Sequence, residues 1–273
     1  MYVLGVDCGA TNMRVGIVDE QGNVLAFEKV PSPLKSEPEK FAHKIKEITQ
    51  TLLKGTELLE RDIDRIGLGV PGPIDFEKGE ILRSSNLGNQ QPINFKHQLE
   101  LLFDSKIYFD RDTNVALRGE AWLGAAADSL NVVMLTLGTG VGGAIIINGQ
   151  LQQGSEGMAG EIGHMFIEVE NCDFVPKCGL GHKGCLESFI KSAQNLSEIS
   201  RYLGIALVNI VDILNPEKII VGGGMIMEGD FLPGAVKVMK EKGIQPSADQ
   251  VIVQYTKLGD LSGVIGAAKM ALG

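Results

Sequence analysis

Two glycine-containing turns carry the residue types that bind phosphate and a divalent cation. The first is Asp7-Cys-Gly9-Ala-Thr11, and the second contains Gly138, Thr139 and Gly140. Turns of this kind present backbone N–H groups and a threonine hydroxyl to an anion, and an acidic side chain beside a phosphate is suited to hold Mg²⁺. A single turn of this kind could contain glycine only because a hairpin turn requires it. Two such turns in one chain favour phosphate binding.

Three segments match the glycine spacing of a dinucleotide-binding turn, G-x-G-x-x-G. They begin at Gly67, Gly138 and Gly179. That fingerprint requires a strand before it and a helix after it. The first segment runs into a proline turn, the second runs into a strand, and the third follows a proline. The sequence therefore excludes a dinucleotide site of this type, and it also contains no G-x-x-x-x-G-K-[ST] phosphate loop.

A further candidate is a carboxylate at the end of a predicted strand. Residues 106–109 predict the strand, and Asp112 follows it, before a helix expected at 115–124. A carboxylate placed there could act as a general base. It could also be an ordinary helix N-cap, for which aspartate is common. The local pattern alone favours the cap.

Histidines and cysteines form an unusual cluster in the second half of the chain. Cys172, Cys178 and Cys185 lie close together in sequence, near His164 and His182. No secretory signal is recognisable at the N-terminus, and in a cytosolic chain such a cluster indicates a metal more than disulfides. Three cysteines and one histidine are typical of structural zinc.

Composition narrows the functional class. The chain has 273 residues, 35 of them glycine, and a net charge of −9 at pH 7. Glycine exceeds its usual share of about 7%, which indicates several places where the backbone approaches something closely. The acidic balance and the lack of a basic run argue against nucleic acid, and the short apolar runs argue against a membrane span. We expect a cytoplasmic protein with neither a nucleic-acid nor a membrane partner.

The elements that position these residues begin with a three-stranded antiparallel meander, predicted for residues 2–30. Ser36 and Glu39 then have the spacing of a capping box, which predicts the start of a helix. The apolar stripe of that helix consists of Phe41, Ile45, Ile48 and Leu52. Residues 65–70 predict a buried strand after it.

The same order recurs later in the chain. Strands are expected at 131–137 and 144–147, with a glycine turn at 138–143, a hairpin turn at Asn148-Gly149 and a third strand from Leu151. Further strands are expected at 218–221 and 250–256, and helices at 196–214 and 261–272. The recurrence predicts two similar α/β halves.

The assembled motifs resemble those of the ROK family of sugar kinases, within the actin-like ATPase superfamily, along nearly the whole chain. They are Asp7-x-Gly-x-Thr11, Asp112-x-Asn114, Leu137-Gly-Thr-Gly-x-Gly-Gly143, Gly160-Glu-Ile-Gly-His164, Cys178-Gly-x-Gly-x-x-Gly-Cys185-x-Glu187 and Val221-Gly-Gly-Gly224. The resemblance implies a two-lobed α/β fold of the actin-like ATPase (ribonuclease H-like) type, with duplicated βββαβα halves and a cleft between them. The smaller lobe would comprise residues 1–115 and 260–273, and the larger lobe residues 116–259. A homodimer would be expected.

The resemblance also implies an activity, the ATP-dependent transfer of a γ-phosphoryl group to the 6-hydroxyl of an aldohexose of the glucose or allose type. Phosphorylation of an N-acylhexosamine, such as N-acetylmannosamine or N-acetylglucosamine, is the alternative within this class. A sugar-responsive regulator without catalysis is the alternative from a different class. Regulators of the family carry an N-terminal helix-turn-helix, whereas the first predicted strand here begins at Tyr2.

The same resemblance implies roles for individual residues. Asp112 would be the catalytic base, and Asp7 would orient Mg²⁺ beside Gly9 and Thr11. The phosphates of ATP would lie against Gly138, Thr139 and Gly140, and the adenosine against Gly222, Gly223 and Gly224. The sugar would contact Asn86, Asp112, Glu161, His164 and Glu187.

Finally, the resemblance implies a structural zinc ion held by His164, Cys178 and Cys185. The sequence departs from the family at this point, because Leu180 stands where the family's middle cysteine is expected. Leucine cannot bind a metal, so Cys172 or His182 would have to supply the fourth ligand.

Overall fold

The structure, a computed structural model, describes residues 1–76, 78–82, 92–167, 177–227 and 229–273. Within these residues the strands are β1 (Tyr2–Cys8), β2 (Asn12–Asp19), β3 (Val24–Pro31), β4 (Ile63–Val70), β5 (Ile74–Asp75), β6 (Glu80–Ile81), β7 (Lys106–Arg111), β8 (Val132–Leu137), β9 (Val141–Ile147), β10 (Gln150–Leu151), β11 (Lys218–Gly222) and β12 (Ile252–Tyr255). The α-helices are α1 (Pro38–Lys54), α2 (Phe95–Glu100), α3 (Asp112–Leu123), α4 (Leu186–Ser192), α5 (Leu196–Leu214), α6 (Leu232–Lys242), α7 (Ser247–Gln250) and α8 (Ser262–Leu272). This alternation confirms the α/β class.

The chain divides into two compact units. Unit 1 comprises Met1–Ala127, Ser155–Gly157 and Lys257–Gly273, and unit 2 comprises Asp128–Gly154 and Met158–Thr256. Helix α3 lies in unit 1 along its whole length because it packs on α8. The division therefore falls after Ala127, whereas the division predicted from the sequence lies at residue 115.

Unit 1 is built on a five-stranded sheet of order β3-β2-β1-β4-β7. Strands β1, β2 and β3 form the predicted antiparallel meander, and β4 and β7 extend the sheet in parallel with β1. Helices α1 and α2 lie in the connections that precede β4 and β7, as parallel pairing requires a long crossover. Strands β1, β4 and β7 consequently end at the same edge of the sheet.

Helix α1 has the predicted apolar face but not the predicted cap. The stripe residues Phe41, Ile45, Ile48 and Leu52 are all buried. The hydroxyl of Ser36 donates to the carbonyl of Pro33 at 2.6 Å, and the N-cap residue is Glu37, without a side-chain cap bond. The predicted capping box is wrong because the serine hydroxyl serves the preceding turn.

Helix α8 packs on β1 and β4 at two glycines. A Cβ on Gly5 would lie 2.2 Å from the carbonyl oxygen of Val264, and one on Gly67 would lie 1.9 Å from that of Ala267. The first G-x-G-x-x-G segment thus has a packing role, since the absence of a side chain at Gly67 lets α8 approach the sheet.

Unit 2 repeats the strand order of unit 1, as β10-β9-β8-β11-β12. Strands β8, β9 and β10 are antiparallel, and β11 and β12 continue the sheet in parallel with β8. The predicted duplication is confirmed. The glycine turn is shorter than predicted: β9 begins at Val141, and Gly142 and Gly143 pair with Thr136 and Leu135 of β8, so the turn consists of residues 138–140.

Several boundaries in unit 2 follow local backbone rules. The turn between β9 and β10 has φ of 52° at Asn148 and 74° at Gly149, as two-residue hairpins require. Helix α5 ends at Leu214 and is capped by Asn215, which is left-handed with φ of 44°. Strand β12 is shorter than predicted because Gln250 ends α7.

Of the helices in the described ranges, none combines the length and apolar character needed to cross a membrane.

Candidate active site and metal cluster

The carboxyl ends of three parallel strands bring acidic residues together in unit 1. In the sheet register Asp7 of β1 lies beside Gly69 of β4, which lies beside Asp110 of β7. Asp112 opens α3 directly after β7. A Cβ on Gly69 would lie 2.4 Å from the side chain of Val115 and 3.4 Å from the Cα of Asp112, so this glycine lets α3 begin close to the sheet. The topology places Asp7 and Asp112 at one edge.

Asp7 lies in a crowded electrostatic environment. Burial raises the pKa of its carboxyl to about 7, and the negative charges of Asp112 and Asp260 act in the same direction. Arg14 opposes them, with its Nη1 3.5 Å from Oδ2 of Asp7. A carboxyl whose ionisation is disfavoured in this way is suited to hold a cation or a proton.

Arg14 is itself held by a second carboxylate. Its Nε donates to Oδ1 of Asp260 at 2.7 Å, and its Nη2 lies 2.7 Å from the same atom. Lys29 Nζ lies 2.9 Å from the other oxygen of Asp260. Burial alone would raise the pKa of Asp260, but the hydrogen bonds from Lys29 and Arg14 hold it below its ordinary value. The guanidinium beside Asp7 is therefore fixed by a residue from the far end of the chain.

Asp112 is not the N-cap of α3. The N-cap position belongs to Arg111. Oδ1 of Asp112 accepts from the backbone N–H of Thr113 at 2.7 Å and from its hydroxyl at 3.2 Å, whereas an N-cap side chain bonds an N–H two or three residues further on. The cap interpretation, which the local pattern favours, is wrong.

The equivalent edge of unit 2 carries two glycine turns. The turn after β8 is closed by a hydrogen bond from the Gly138 N–H to the carbonyl of Gly140 at 2.9 Å. The glycines after β11 lie beside it: a Cβ on Gly223, whose φ is +95°, would lie 2.2 Å from the carbonyl oxygen of Leu137. The structure thus brings together the residues predicted for the nucleotide in this unit, which are Gly138, Thr139, Gly140, Gly222, Gly223 and Gly224.

The motif at residues 160–164 packs closely on β9. A Cβ on Gly163 would lie 1.9 Å from the carbonyl oxygen of Val141, so a side chain at this position is excluded. Glu161 directly precedes a short helical turn that ends at His164, and Oε2 of Glu161 lies 3.9 Å from Nε2 of His164. These two predicted sugar ligands are neighbours in space.

Glu187, in the first turn of α4, is buried among hydrogen-bond donors. Its Oε2 accepts from the backbone N–H of Val141 at 3.1 Å. Its Oε1 accepts from the backbone N–H of Gly179 at 2.9 Å and from Nζ of Lys191 at 3.1 Å. Burial alone would raise the pKa of Glu187, but these hydrogen bonds hold it below its ordinary value. The carboxylate remains charged and is bound to the backbone on two sides.

The histidine and cysteine cluster is assembled within unit 2. The ligand atoms of His164, Cys178 and His182 lie within 4.8 Å of one another. Within the described ranges, Nδ1 of His164 is buried without a hydrogen-bond partner. Burial raises the pKa of the Cys185 thiol, and the neighbouring Cys178 adds to the effect. Two imidazoles and one thiol thus lie together, and these donor types fit zinc. Cys185 neighbours Cys178 but does not belong to this close group.

A tight loop brings His182 beside Cys178. The Cys178 N–H donates to the carbonyl of His182 at 2.8 Å, and the Gly181 N–H donates to the carbonyl of Cys178 at 2.9 Å. Gly181 has φ of +82°, a conformation that favours glycine. Two predicted site residues, Asn86 and Cys172, lie outside the described residues.

The motifs do not mark Arg14, Asp260 or Glu120, although each holds part of unit 1 in place. Glu120 is fully buried in α3, and its carboxylate accepts four hydrogen bonds. The donors are the backbone N–H groups of Ala125, Lys257 and Leu258 and the hydroxyl of Ser262, at 2.7, 3.1, 3.0 and 2.6 Å. A carboxylate inside an apolar helical pattern is the sequence signal that could have pointed to Glu120.

Known proteins match this chain along its length. The family model described as the ROK family matches residues 3–194 and 188–273. The chain is 30% identical to a glucokinase of Halalkalibacterium halodurans over 97% of this chain and 93% of that protein. It is 25% identical to an N-acetyl-D-glucosamine kinase of Yersinia pseudotuberculosis over 98% of each. A ROK family glucokinase from Streptomyces griseus, solved in complex with glucose and AMPPNP, has a TM-score of 0.84 at 25% identity, covering 100% of this chain and 99% of that one.

The duplicated five-stranded unit is the fold of the actin-like ATPases, as found in ROK kinases of known structure. The chain belongs to the ROK family.

Proposed function

We propose that this chain, an ATP-dependent sugar kinase, transfers the γ-phosphoryl group of ATP to the 6-hydroxyl of an aldohexose of the glucose or allose type. The observation that carries the proposal is the meeting of Asp7 and Asp112 at the carboxyl edge of the unit 1 sheet. Phosphoryl transfer needs a base for the attacking hydroxyl and a ligand for the cation on the phosphates, and these two carboxylates supply both. The glucokinase relative supports the same class of substrate.

Asp112 acts as the general base in this proposal. It accepts the proton of the sugar hydroxyl as the oxygen forms its bond to the γ-phosphorus and the bond to the ADP leaving group breaks. The hydrogen bonds that Thr113 donates to Oδ1 fix the carboxylate at the start of α3. Such positioning matters because phosphoryl transfer depends mainly on alignment and charge neutralisation.

Asp7 holds Mg²⁺, beside Gly9 and Thr11 of the same turn. When bound, the ion supplies positive charge that neutralises the phosphates. The surroundings of Asp7 fit a cation because its pKa is raised by burial and by neighbouring carboxylates. A bound cation would offset that unfavourable charge.

The glycine turns of unit 2 hold the nucleotide. Gly138, Thr139 and Gly140 contact the phosphates, and Gly222, Gly223 and Gly224 line the adenosine pocket. A Cβ built on Gly224 meets no atom within 4 Å, so the backbone is open to a ligand there. Flat purines fit against backbone that carries no side chain.

The sugar contacts Asn86, Asp112, Glu161, His164 and Glu187 in this proposal. Carboxylates suit sugar hydroxyls because charge-assisted hydrogen bonds are the stronger kind. The same residue types suit an N-acylhexosamine, and the 25% identity to an N-acetyl-D-glucosamine kinase favours that as the second candidate.

A coupled ADP-release assay tests the activity and the sugar together. We expect the highest kcat/KM with glucose or allose among glucose, allose, mannose, fructose, N-acetylmannosamine and N-acetylglucosamine. A preference for either acylated sugar would replace the aldohexose assignment with the second candidate. Absence of turnover with every one of these sugars would contradict the proposed sugar kinase activity.

We also propose that a structural zinc ion is held by His164, Cys178 and Cys185, with His182 as the fourth ligand in place of Cys172. The support is the closeness of the His164, Cys178 and His182 ligand atoms and the buried Nδ1 of His164. Zinc would fix the loop from Cys178 to His182. The expected homodimer and cytoplasmic location stay predictions.

Metal analysis of the purified protein tests this ligand set. The native chain and Cys172→Ser should retain about one zinc per chain, whereas His182→Gln should retain well under half of that. His97→Gln, at an exposed histidine of unit 1, is the matched control. Retention of zinc by His182→Gln with loss in Cys172→Ser would assign the fourth position to Cys172.

A further inference from the structure

One buried carboxylate joins two loops of unit 2 that are far apart in sequence. Oε2 of Glu187 accepts from Val141, the residue that directly follows the turn at 138–140, and Oε1 accepts from Gly179, in the loop of the metal cluster. Glu187 is 7% exposed. Lys191, one helical turn later, balances its charge at 3.1 Å. The carboxylate therefore binds a backbone group in each loop, in addition to the sugar contact proposed for it.

The glycine at position 140 gives a second, independent sign of this contact. A Cβ on Gly140 would lie 2.7 Å from Oε2 of Glu187. The carboxylate therefore lies directly against the last residue of the turn, and a side chain at position 140 would displace it. The hydrogen bond from Gly138 to Gly140 closes the turn internally, and Glu187 fixes it from outside.

We propose that Glu187 is a positioning residue for the nucleotide: through the Val141 N–H it holds the turn at 138–140 in the conformation that receives the phosphates of ATP, and through the Gly179 N–H it ties that conformation to the metal loop. The inference rests on the proposed nucleotide-binding role of the turn. Donors aimed at a phosphate contribute most when their direction is fixed before the ligand arrives. A charged acceptor at the end of the turn supplies that constraint, because charge-assisted hydrogen bonds are short and strong.

Binding of AMPPNP in the absence of sugar tests the proposal. In Glu187→Gln the side chain keeps its size, but its NH₂ group cannot accept, so one of the two backbone N–H groups loses its partner. We expect Glu187→Gln to weaken AMPPNP binding about tenfold, the effect of losing one hydrogen bond to a charged group, as measured by titration calorimetry at saturating Mg²⁺. In turnover, KM for ATP should rise and kcat should fall. KM for the sugar should rise as well, because Glu187 is also a proposed sugar ligand, so AMPPNP binding without sugar is the deciding measurement.

The result that would overturn the proposal is unchanged AMPPNP binding in Glu187→Gln with a raised KM for the sugar alone. A residue that only contacts sugar would behave in that way. If the native chain itself fails to bind AMPPNP, the proposed function fails, and the two failures are thus distinguishable. Glu241→Gln, at an exposed glutamate of α6, is the matched control and should bind AMPPNP as the native chain does.

Gly140→Ala tests the same contact with Glu187 left in place, so it stays informative if Glu187→Gln is poorly stable; where both variants fold, a double-mutant cycle adds to the test. Gly140→Ala should weaken AMPPNP binding by displacing the carboxylate from Val141. Combined with Glu187→Gln, its effect should be clearly less than additive, because both changes remove the same contact. Full additivity of the two losses would contradict a shared contact and overturn the proposal.

Discussion

The carboxyl edges of the two sheets are built by the same strand order, yet they treat buried carboxylates in opposite ways. In unit 1, burial raises the pKa of Asp7 to about 7, and Asp112 and Asp260 add like charge around it. In unit 2, Glu187 is surrounded by hydrogen-bond donors that hold its pKa below the ordinary value despite burial. One edge makes a negative charge costly, and the other stabilises it.

This difference separates a carboxylate suited to a reaction from one that holds backbone in place. A carboxyl crowded by like charges gains most from a cation or a proton. A carboxylate that already accepts several N–H groups gains little from either, but it fixes those groups. Both kinds of carboxylate occur in unit 1. Glu120 lies there and accepts four hydrogen bonds, so it belongs with Glu187 among the carboxylates that hold other groups in place.

The largest effect should come from removing the proposed base at the crowded edge. Asp112→Asn cannot take the proton of the sugar hydroxyl, so kcat should fall by about 10³-fold or more, within the range of general-base catalysis. Sugar binding should persist, because the amide can still hydrogen-bond to hydroxyls. ADP release and sugar titration measure the two quantities. Asp104→Asn, at an exposed aspartate of the same unit, should retain native kcat.

Full activity in Asp112→Asn would show that Asp112 is not the general base. The carboxyl edge of unit 1 would then contain a buried, like-charged Asp7 but no assigned base.

The next largest effect is a loss of stability when Glu120, the carboxylate that holds backbone groups in unit 1, is changed. Glu120→Gln leaves at least one of the backbone N–H groups of Ala125, Lys257 and Leu258 without its acceptor. We expect a loss of about 3 kcal/mol in the free energy of unfolding of unit 1, measured by urea denaturation. Glu47→Gln, at an exposed glutamate of α1, should change it by less than about 0.5 kcal/mol. A comparable, small change in both variants would show that Glu120 has no structural role.

The extent to which these sites could be predicted depends on whether a residue's partner is local. The two meanders and their turns follow from apolar alternation and glycine spacing, and both were predicted. The capping box at Ser36 failed because a competing acceptor, the carbonyl of Pro33, lies only three residues away. The Arg14–Asp260 contact joins residues 246 positions apart, and no pattern marks it.

Partners that belong to the backbone are equally hidden from sequence. The sequence identifies Glu187 as a polar residue in a motif, and both a sugar ligand and a first-turn helix carboxylate suit that position. Its bonds to the N–H groups of Val141 and Gly179 depend on how two loops fold against α4. Side-chain types at positions 141 and 179 carry no information about a main-chain donor.

The smallest expected effect is the pH dependence that Asp7 imparts to stability. Its pKa is about 7 in the folded chain and about 3.8 without burial, so the folded state holds a proton that the unfolded state has released between these values. Stability therefore falls as pH rises from about 3.8 to about 7 and levels off above that, and the part of the decline between pH 6 and pH 8 is about 1 kcal/mol. Urea denaturation without Mg²⁺ should show this decline for the native chain relative to Asp7→Asn, whose side chain stays neutral throughout.

The difference between these two proteins isolates Asp7, because histidines and other groups titrate alike in both. Asp112→Asn sharpens the measurement: it removes one of the like charges that raise the pKa of Asp7, so the decline should move to lower pH. A native chain and an Asp7→Asn variant with parallel pH profiles would show that the unit 1 edge does not make the charge of Asp7 costly. The contrast with Glu187 would then be lost, since both carboxylates would be equally stable as anions.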